Sequence, residues 1–241
     1  MIKQHGVKTY LLVMISLVFF LTMTVSIPHA WGDVPVSRDR NLVNPFDRQV
    51  MFPYSEPLSL ASDITQYISI LSPALFAFAA PASDWLEISA LYATSALLSY
   101  GTRTLMKMSI ERYRPYTYAI DSYPSDPSEL IEEERESFPS GHTIMAFTGA
   151  AFTQPLFSLR YPDSPYRTAG TIAAWSLAGA TAVLRVASGN HFITDVLAGA
   201  AIGSLFGFAV PYLAWKFLPS WKSEHVSVMV GPSSALVQLQ L

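Results

Sequence analysis

The sequence predicts an all-α fold, a helical bundle that crosses a membrane five or six times. Hydrophobic residues make up 51% of the 241 residues and charged residues only 14%, whereas about a quarter of an ordinary soluble domain is charged. The chain contains five long apolar stretches, each near the roughly 17 to 25 residues that a helix needs to cross the hydrocarbon core. Small residues are frequent in them, and small side chains let helices approach closely within lipid.

The apolar stretches are bounded by capping and turn residues. They cover residues 64–82, 86–106, 143–159, 168–186 and 193–217. Asp63 is placed to cap the first stretch, and Asp84 with Glu87 has the pattern of a capping box at the start of the second. Pro162 and Pro165 indicate a short turn between the third and the fourth. We therefore expect five helices joined by loops.

The N-terminus carries an export signal. Lys3 and Lys8 precede an apolar run at residues 10–27, and the small residues Ala30 and Gly32 follow it, which is the pattern of a secretory signal peptide. The run is also near the length of a membrane span. Residues 1–32 are thus predicted to be either a removed signal peptide, which leaves five crossings, or a retained signal anchor, which gives six.

The rest of the chain divides into three parts. Residues 33–60 are polar and rich in proline, and they predict an extended exported segment. Residues 61–219 hold the apolar stretches and predict the helical-bundle domain. Residues 220–241 alternate between apolar and polar positions around a Gly-Pro turn, which predicts a small hairpin. A long acidic loop at residues 116–138 interrupts the bundle, and it is either a functional loop or a solvated acidic surface.

Charge and cysteine content exclude several classes of function. The formal net charge is −3 and the pI about 5.9, and no run of lysines or arginines follows the pattern expected for a phosphate backbone, so we expect no nucleic-acid partner. The chain has no cysteine, which excludes thiolate catalysis, cysteine-bound zinc and disulfides.

Three clusters of reactive residues lie where apolar stretches begin or end, so that one end of the bundle can collect them. In chain order they are Lys107 with Arg114, Ser140 with Gly141 and His142, and Arg185 with His191 and Asp195. Each cluster alone has an ordinary explanation, such as an interfacial charge, a helix cap or an ion pair. Their conjunction in this order and spacing indicates a site that binds an anion.

These clusters resemble the signature of the type 2 phosphatidic acid phosphatase and vanadium haloperoxidase superfamily, and in particular its membrane-associated phosphatase branch. The family pattern is KxxxxxxRP, then PSGH, then SRxxxxxHxxxD. Here residues 107–115 read KMSIERYRP, residues 139–142 read PSGH, and residues 184–195 read LRVASGNHFITD. One position differs, because Leu184 stands where the family usually has serine.

The chemistry of phosphoryl transfer fits the phosphate-binding residues. Charge spreads over the equatorial oxygens of the transferred group, so positive charge held in place beforehand assists the reaction. Lys107, Arg114 and Arg185 supply that charge. The Ser140 hydroxyl and the Gly141 amide, at a helix N-terminus, add hydrogen-bond donors. With three cations at hand we expect neither a metal ion nor a cofactor.

The catalytic roles follow the resemblance and agree with the spacing. His191 and Asp195 are four residues apart, hence on one face of a helix, so the carboxylate can keep one imidazole nitrogen protonated while the other attacks phosphorus. His142 is expected to protonate the leaving oxygen and later to activate water. The resemblance thus implies a phosphatase that works through a phosphohistidine.

The expected substrate is a phosphate monoester or diphosphate of a membrane lipid, with the active site on the outer side of a bacterial inner membrane. Arg160 and Arg167 fall on the predicted inner side, as the positive-inside tendency requires. The sequence leaves open a soluble exported acid phosphatase of the same superfamily, a vanadium-dependent haloperoxidase, and a non-catalytic transport or lipid-binding protein. The oligomeric state is not predicted.

Overall fold

Five long helices form the bundle, and the predicted all-α class is confirmed. The structure, a computed structural model, describes residues 39–74, 80–119, 134–218, 225–231 and 234–240. In these ranges the long helices are α1 Glu56–Leu71, α2 Trp85–Ser109, α3 Gly141–Pro155, α4 Arg167–Ala187 and α5 Ile193–Phe217. The predicted signal segment 1–32 and most of the acidic loop lie outside the described residues.

Short elements connect and flank the helices. They are the turns Arg40–Leu42, Pro45–Arg48, Ala82–Asp84 and Pro115–Tyr118, the π-helical turn Leu156–Arg160, and the strands β1 His225–Gly231 and β2 Ser234–Gln240. The two strands pair antiparallel, with His225 opposite Gln240. The π-helical turn follows Pro155, whose ring has no N–H to continue the α-helical hydrogen bonds.

The helices alternate in direction around α3, which packs against all four others. Hydroxyl groups hydrogen-bond between helices along its length: Ser69 of α1 donates to the Ala146 carbonyl at 2.9 Å, and the Thr148 hydroxyl donates to Ser99 of α2 at 2.8 Å. We call the end where α1, α3 and α5 begin the motif end, because Lys107, His142 and His191 lie there, and the other the far end.

Glycines bring α5 against the backbone of α3. A Cβ on Gly199 would lie 2.8 Å from the Ser140 carbonyl oxygen, and one on Gly207 would lie 2.6 Å from the Thr148 carbonyl oxygen. Side chains would separate the two helices, whereas small residues at four-residue spacing allow close packing. Gly199 lies against Ser140 and Gly207 lies against Thr148, so later residues of α5 contact later residues of α3. The two helices therefore run parallel and begin at the same end.

The N-terminal part of the bundle differs from the prediction. The predicted extended segment 33–60 holds the helical turn Pro45–Arg48 and the first turn of α1, which begins at Glu56 rather than near residue 64. In both helices the proline lies in the first turn, where a backbone N–H has no acceptor within the helix. The missing N–H of proline therefore costs no helical hydrogen bond. These prolines therefore start helices rather than prevent them.

Both predicted acidic caps are wrong. Asp63 lies inside α1, and its carboxylate faces the motif end. Asp84 occupies the capping position of α2 but makes no capping hydrogen bond; its carboxylate accepts instead from Arg160 at 2.6 Å and from the Tyr161 hydroxyl at 2.7 Å. A partner with a full charge or a phenolic hydroxyl competes successfully with a backbone N–H for these carboxylates.

Two helices of the bundle are apolar and expose apolar side chains. Among the described residues, α4 and α5 are long and apolar enough to cross a membrane by length and composition. Large apolar side chains on both helices are exposed: Ile172, Val183, Leu197, Leu205, Phe208, Leu213 and Phe217. Exposed apolar side chains on helices of this length suit contact with lipid. The predicted count of five or six crossings stays a prediction.

Candidate active site

His191 lies in the loop between α4 and α5, with its ring almost fully buried at the motif end. Its Nδ1 lies 2.7 Å from the Ser137 carbonyl oxygen. Since a carbonyl can only accept, Nδ1 carries the proton and Nε2 keeps its lone pair. Burial lowers the pKa of His191 well below its usual range, and the positive charges of Arg114 and Arg185 lower it further. The ring is therefore neutral and has a nucleophilic nitrogen.

Asp195 supports this loop rather than bonding directly to the histidine. Its Oδ2 lies 3.7 Å from His191 Nδ1, beyond hydrogen-bond distance. The same oxygen accepts from the Ser137 hydroxyl at 2.6 Å and from the Phe192 N–H at 2.9 Å, while Oδ1 pairs with Arg112. The prediction that Asp195 accepts the hydrogen bond from the imidazole N–H is wrong. The Ser137 carbonyl accepts that hydrogen bond, and Asp195 binds Ser137 and Phe192 on either side of the ring.

Three predicted cations are nearly buried at this end, each held by a different neighbour. Lys107, in the last turn of α2, pairs with Glu136 at 3.2 Å. Arg114 donates to the amide oxygen of Asn190 at 3.0 Å. Arg185, in the last turn of α4, donates to the hydroxyls of two serines on α1 and lies 3.4 Å from a carboxylate there. All three charges act on the buried His191 ring.

The start of α3 supplies the predicted anion donors. Ser140 caps the helix, and its hydroxyl oxygen accepts from the Thr143 hydroxyl at 2.9 Å and from the Thr143 N–H at 3.5 Å. Gly141 is the first helical residue, and a Cβ there would meet the side chain of Arg103, with its Cδ at 3.0 Å. Glycine thus lets Arg103, a cation one turn before Lys107, lie against the first turn of the helix.

His142 follows in the same turn and contacts α1. Its Nε2 lies 2.8 Å from Oδ1 of Asp63, and about a third of the His142 side chain remains exposed. The charges of Arg103, Lys107, Arg114 and Arg185 all act on this ring as well. His142 is therefore the less buried of the two imidazoles and has a carboxylate at one nitrogen.

A second network joins the N-terminal segment to the start of α5. The carboxylate of Asp47 is fully buried and accepts from Arg112 at 2.6 Å, from the Thr194 hydroxyl at 2.6 Å and from the Thr194 N–H at 3.1 Å. Arg112 bridges Asp47 and Asp195 and lies over the Phe192 ring, 4.3 Å from its centroid. This network secures the backbone next to His191.

The structure brings the eight predicted site residues to one end, and it adds others that the sequence analysis did not select. The additions are Asp47, Asp63, Arg103, Arg112, Ser137 and Asn190. A signal existed for Arg103, because an ionisable residue inside an apolar stretch indicates a functional position. Within the described ranges no group of three histidine, cysteine, aspartate or glutamate side chains is arranged to hold a metal ion.

Two curated bacterial proteins are similar to this chain. One is the lipid A 1-phosphatase of Porphyromonas gingivalis, 30% identical over 147 residues that make up 61% of this chain and 28% of that protein. The other is the phosphatidylglycerophosphatase B of Bacillus subtilis, 35% identical over 123 residues, or 47% of this chain and 54% of that protein. The chain therefore matches between about a quarter and about half of the length of these relatives.

A solved structure and a family model also match. The crystal structure of a transmembrane PAP2-type phosphatidylglycerolphosphate phosphatase from Bacillus subtilis aligns over 91% of this chain and 99% of that one, at 22% identity and a TM-score of 0.47. The family model, described as PAP2 superfamily, matches residues 89–219. That range is more than half of the chain and contains all three motifs, from Lys107 to Asp195, so this protein belongs to the PAP2 superfamily.

Proposed function

We propose that this chain is a metal-independent phosphatase that hydrolyses lipid phosphate esters or diphosphates through a phosphohistidine. The observation that carries the proposal is the state of His191. Its ring is buried and neutral, and its Nδ1–H donates a hydrogen bond to the Ser137 carbonyl. The charges of Lys107, Arg114 and Arg185 act on this ring. A neutral imidazole with one nitrogen held and the other bearing a lone pair is a nucleophile. The cations around it suit a phosphate group.

In the first step Nε2 of His191 attacks phosphorus, and the bond between phosphorus and the leaving oxygen breaks. Lys107, Arg114 and Arg185 stabilise the charge on the equatorial oxygens, and arginines can bind two of them at once. His142 gives its proton to the leaving oxygen, so that an alcohol rather than an alkoxide departs. The product is a phosphohistidine.

In the second step the now neutral His142 takes a proton from water, and the resulting hydroxide oxygen attacks phosphorus. The bond from phosphorus to Nε2 of His191 breaks, which releases inorganic phosphate and restores the neutral nucleophile. The protonated His142 is then ready for the next ester. The Ser137 carbonyl holds Nδ1 of His191 throughout, so the ring returns to the same orientation.

The exposed apolar side chains of the bundle support a lipid substrate, and the position of two arginines supports an outward-facing site. The apolar sides of α4 and α5 are exposed, which favours a membrane protein over the soluble exported phosphatase. Arg160 and Arg167 flank the short connection between α3 and α4 at the far end, and positive residues of short loops are enriched on the cytoplasmic side, whereas the cations of the motif end belong to the candidate site. The motif end would then face the periplasm or the exterior. Retention of the protein in carbonate-washed membranes tests this placement, and its release into solution would contradict it.

The direct test measures inorganic phosphate released by the full chain in detergent with a chelator present. Suitable substrates are phosphatidate, phosphatidylglycerophosphate, a polyprenyl diphosphate, lipid A and a soluble phosphomonoester, with His191→Ala as the control. We expect turnover of at least one lipid, faster than of the soluble ester, and an acid-labile phosphoenzyme. Absence of release from every substrate would contradict the phosphatase, and preference for the soluble ester would contradict the lipid substrate.

A further inference from the structure

Asp63 of α1 contacts two residues of the candidate site from outside the matched family range. Its Oδ1 lies 2.8 Å from Nε2 of His142 and 3.4 Å from Nη1 of Arg185. The family match begins at residue 89, and the sequence analysis gave Asp63 only a capping role. Helix α1 therefore brings a carboxylate to a site whose predicted residues all come from later in the chain.

The contact with His142 determines which nitrogen carries a proton. An ionised carboxylate can only accept, so a hydrogen bond at Nε2 requires a proton on that atom. In the neutral ring Nδ1 then keeps its lone pair, the form that takes a proton from water. In the doubly protonated ring Nδ1 also carries a proton, and it can donate that proton to the oxygen of the departing alcohol. The contact thus orients the ring in both steps of the proposed reaction.

The surroundings make a negative partner necessary for the acid form. Burial disfavours a positive charge on the His142 ring, and the charges of four nearby cations disfavour it further: Arg185, Arg114, Lys107 and Arg103. Asp63 is the carboxylate at hydrogen-bond distance from that ring. A carboxylate that accepts from an imidazolium stabilises it by a charge-assisted hydrogen bond. This contact therefore offsets part of the repulsion that the phosphate-binding cations exert on a protonated His142.

We propose that Asp63 is the positioning residue of His142: it holds Nε2 and stabilises the protonated ring that delivers a proton to the leaving oxygen. This inference rests on the proposed function. Asp63 also contacts Arg185, one of the proposed phosphate-binding residues. Helix α1 thereby aligns His142, the proposed general acid, with the anion site. The role is distinct from substrate binding, because Asp63 acts through another side chain.

Leaving groups of different acidity separate this role from a structural one. An alkyl phosphate loses a basic alkoxide that needs a proton, whereas an aryl phosphate such as p-nitrophenyl phosphate loses a stable phenolate. In Asp63→Asn we expect the first-turnover rate on phosphatidate to fall about 10²-fold or more, as for loss of a general acid. On p-nitrophenyl phosphate we expect a fall of less than about 10-fold. His142→Ala should show the same selectivity.

The controls keep a failed fold and a failed function apart from a failed inference. Glu56→Gln changes an exposed carboxylate on the same helix and should leave both rates unchanged. Asp63→Glu keeps the charge and should recover part of the phosphatidate rate. In an Asp63→Asn protein whose circular dichroism matches the wild type, equal losses on both substrates, or no loss on either, would overturn the inference. If the wild-type chain itself turned over neither substrate, the proposed function would fail instead.

Discussion

The two ends of the bundle both contain contacts between acids and arginines, but the contacts differ in kind. At the far end Asp84 accepts from Arg160 at 2.6 Å and from the Tyr161 hydroxyl at 2.7 Å. Burial alone would raise the pKa of Asp84, but the hydrogen bonds from Tyr161 and Arg160 outweigh it and lower the value. One acid and one arginine thus neutralise each other where α2 begins and α3 ends.

At the motif end several cations are held in part by neutral groups. Arg114 donates to the amide oxygen of Asn190, and Arg185 donates to the hydroxyls of Ser59 and Ser62. Amide and hydroxyl oxygens fix a guanidinium in place without cancelling its charge. At the far end an acid and an arginine neutralise each other, whereas at the motif end amide and hydroxyl groups also hold the arginines. If the motif end binds an anion as proposed, variants at the two ends should affect different measurements.

The largest effect is expected at the two imidazoles. His191→Ala removes the proposed nucleophile and His142→Ala removes the proposed acid, so each should lower phosphatidate turnover by at least about 10³-fold. The helical content of both variants should stay close to that of the wild type, whereas the thermal unfolding midpoint of His191→Ala in detergent should fall, because that substitution removes a buried ring and its hydrogen bond to the Ser137 carbonyl. The measurements are phosphate release and circular dichroism. Turnover at the wild-type rate in either variant would remove that histidine from the mechanism.

A second prediction concerns Asp47, which stabilises the motif end without being assigned to catalysis. Burial would raise the pKa of Asp47, but hydrogen bonds from Thr194 and Arg112 lower it below the ordinary value of 3.8. Asp47→Asn removes the charge opposite Arg112 and should reduce the free energy of unfolding by about 3 kcal/mol at neutral pH. Arg112 keeps its pairing with Asp195, which limits the loss.

The pH dependence gives this prediction a sign. Because the folded pKa of Asp47 is depressed, its stabilisation is fully present above the unfolded value and disappears as the pH falls through the folded value. The difference in unfolding free energy between wild type and Asp47→Asn should therefore be constant from neutral pH down to about pH 5 and shrink below pH 3.8. Denaturant unfolding in detergent at several pH values measures it. A difference that stays constant through the acid range would show that the Asp47 charge is not what stabilises this end.

The same contrast explains which features the sequence predicted. The signature residues were found because spacing along the chain shows them, and α5 begins and ends at the predicted residues 193 and 217 because its apolar run is long and uninterrupted. The start of α1 was missed because proline was taken as a break, although it fits the first turn of a helix.

Contacts between distant parts of the chain could not be predicted in this way. Asp63 and Asp84 were both assigned to nearby backbone N–H groups, yet their partners His142 and Arg160 lie on other helices. The pairing of Asp47 with Arg112 spans 65 residues and has no sequence pattern. Local signals identify a helix end, whereas only the packing of the bundle decides which charged side chain reaches it.

The smallest effect is expected at the far end, where the contrast between the two ends is tested most sharply. Asp84→Asn breaks a pair whose side chains are 15% and 16% exposed. It should cost about 1–2 kcal/mol, less than a fully buried pair, because solvent still screens the charges. Arg160→Gln should cost a similar amount. The double variant should cost less than the two single losses added together, since both remove the same contact.

Turnover should be unaffected by these far-end variants, because the lengths of α2 and α3 lie between the substituted residues and the two histidines. We expect the phosphatidate turnover of Asp84→Asn to stay within about twofold of the wild type, as for distant independent sites. The measurements are the unfolding free energy in detergent and phosphate release below the unfolding midpoint. A large loss of turnover with unchanged stability would show that the far end communicates with the site, so that stability and anion attraction are not divided between the two ends.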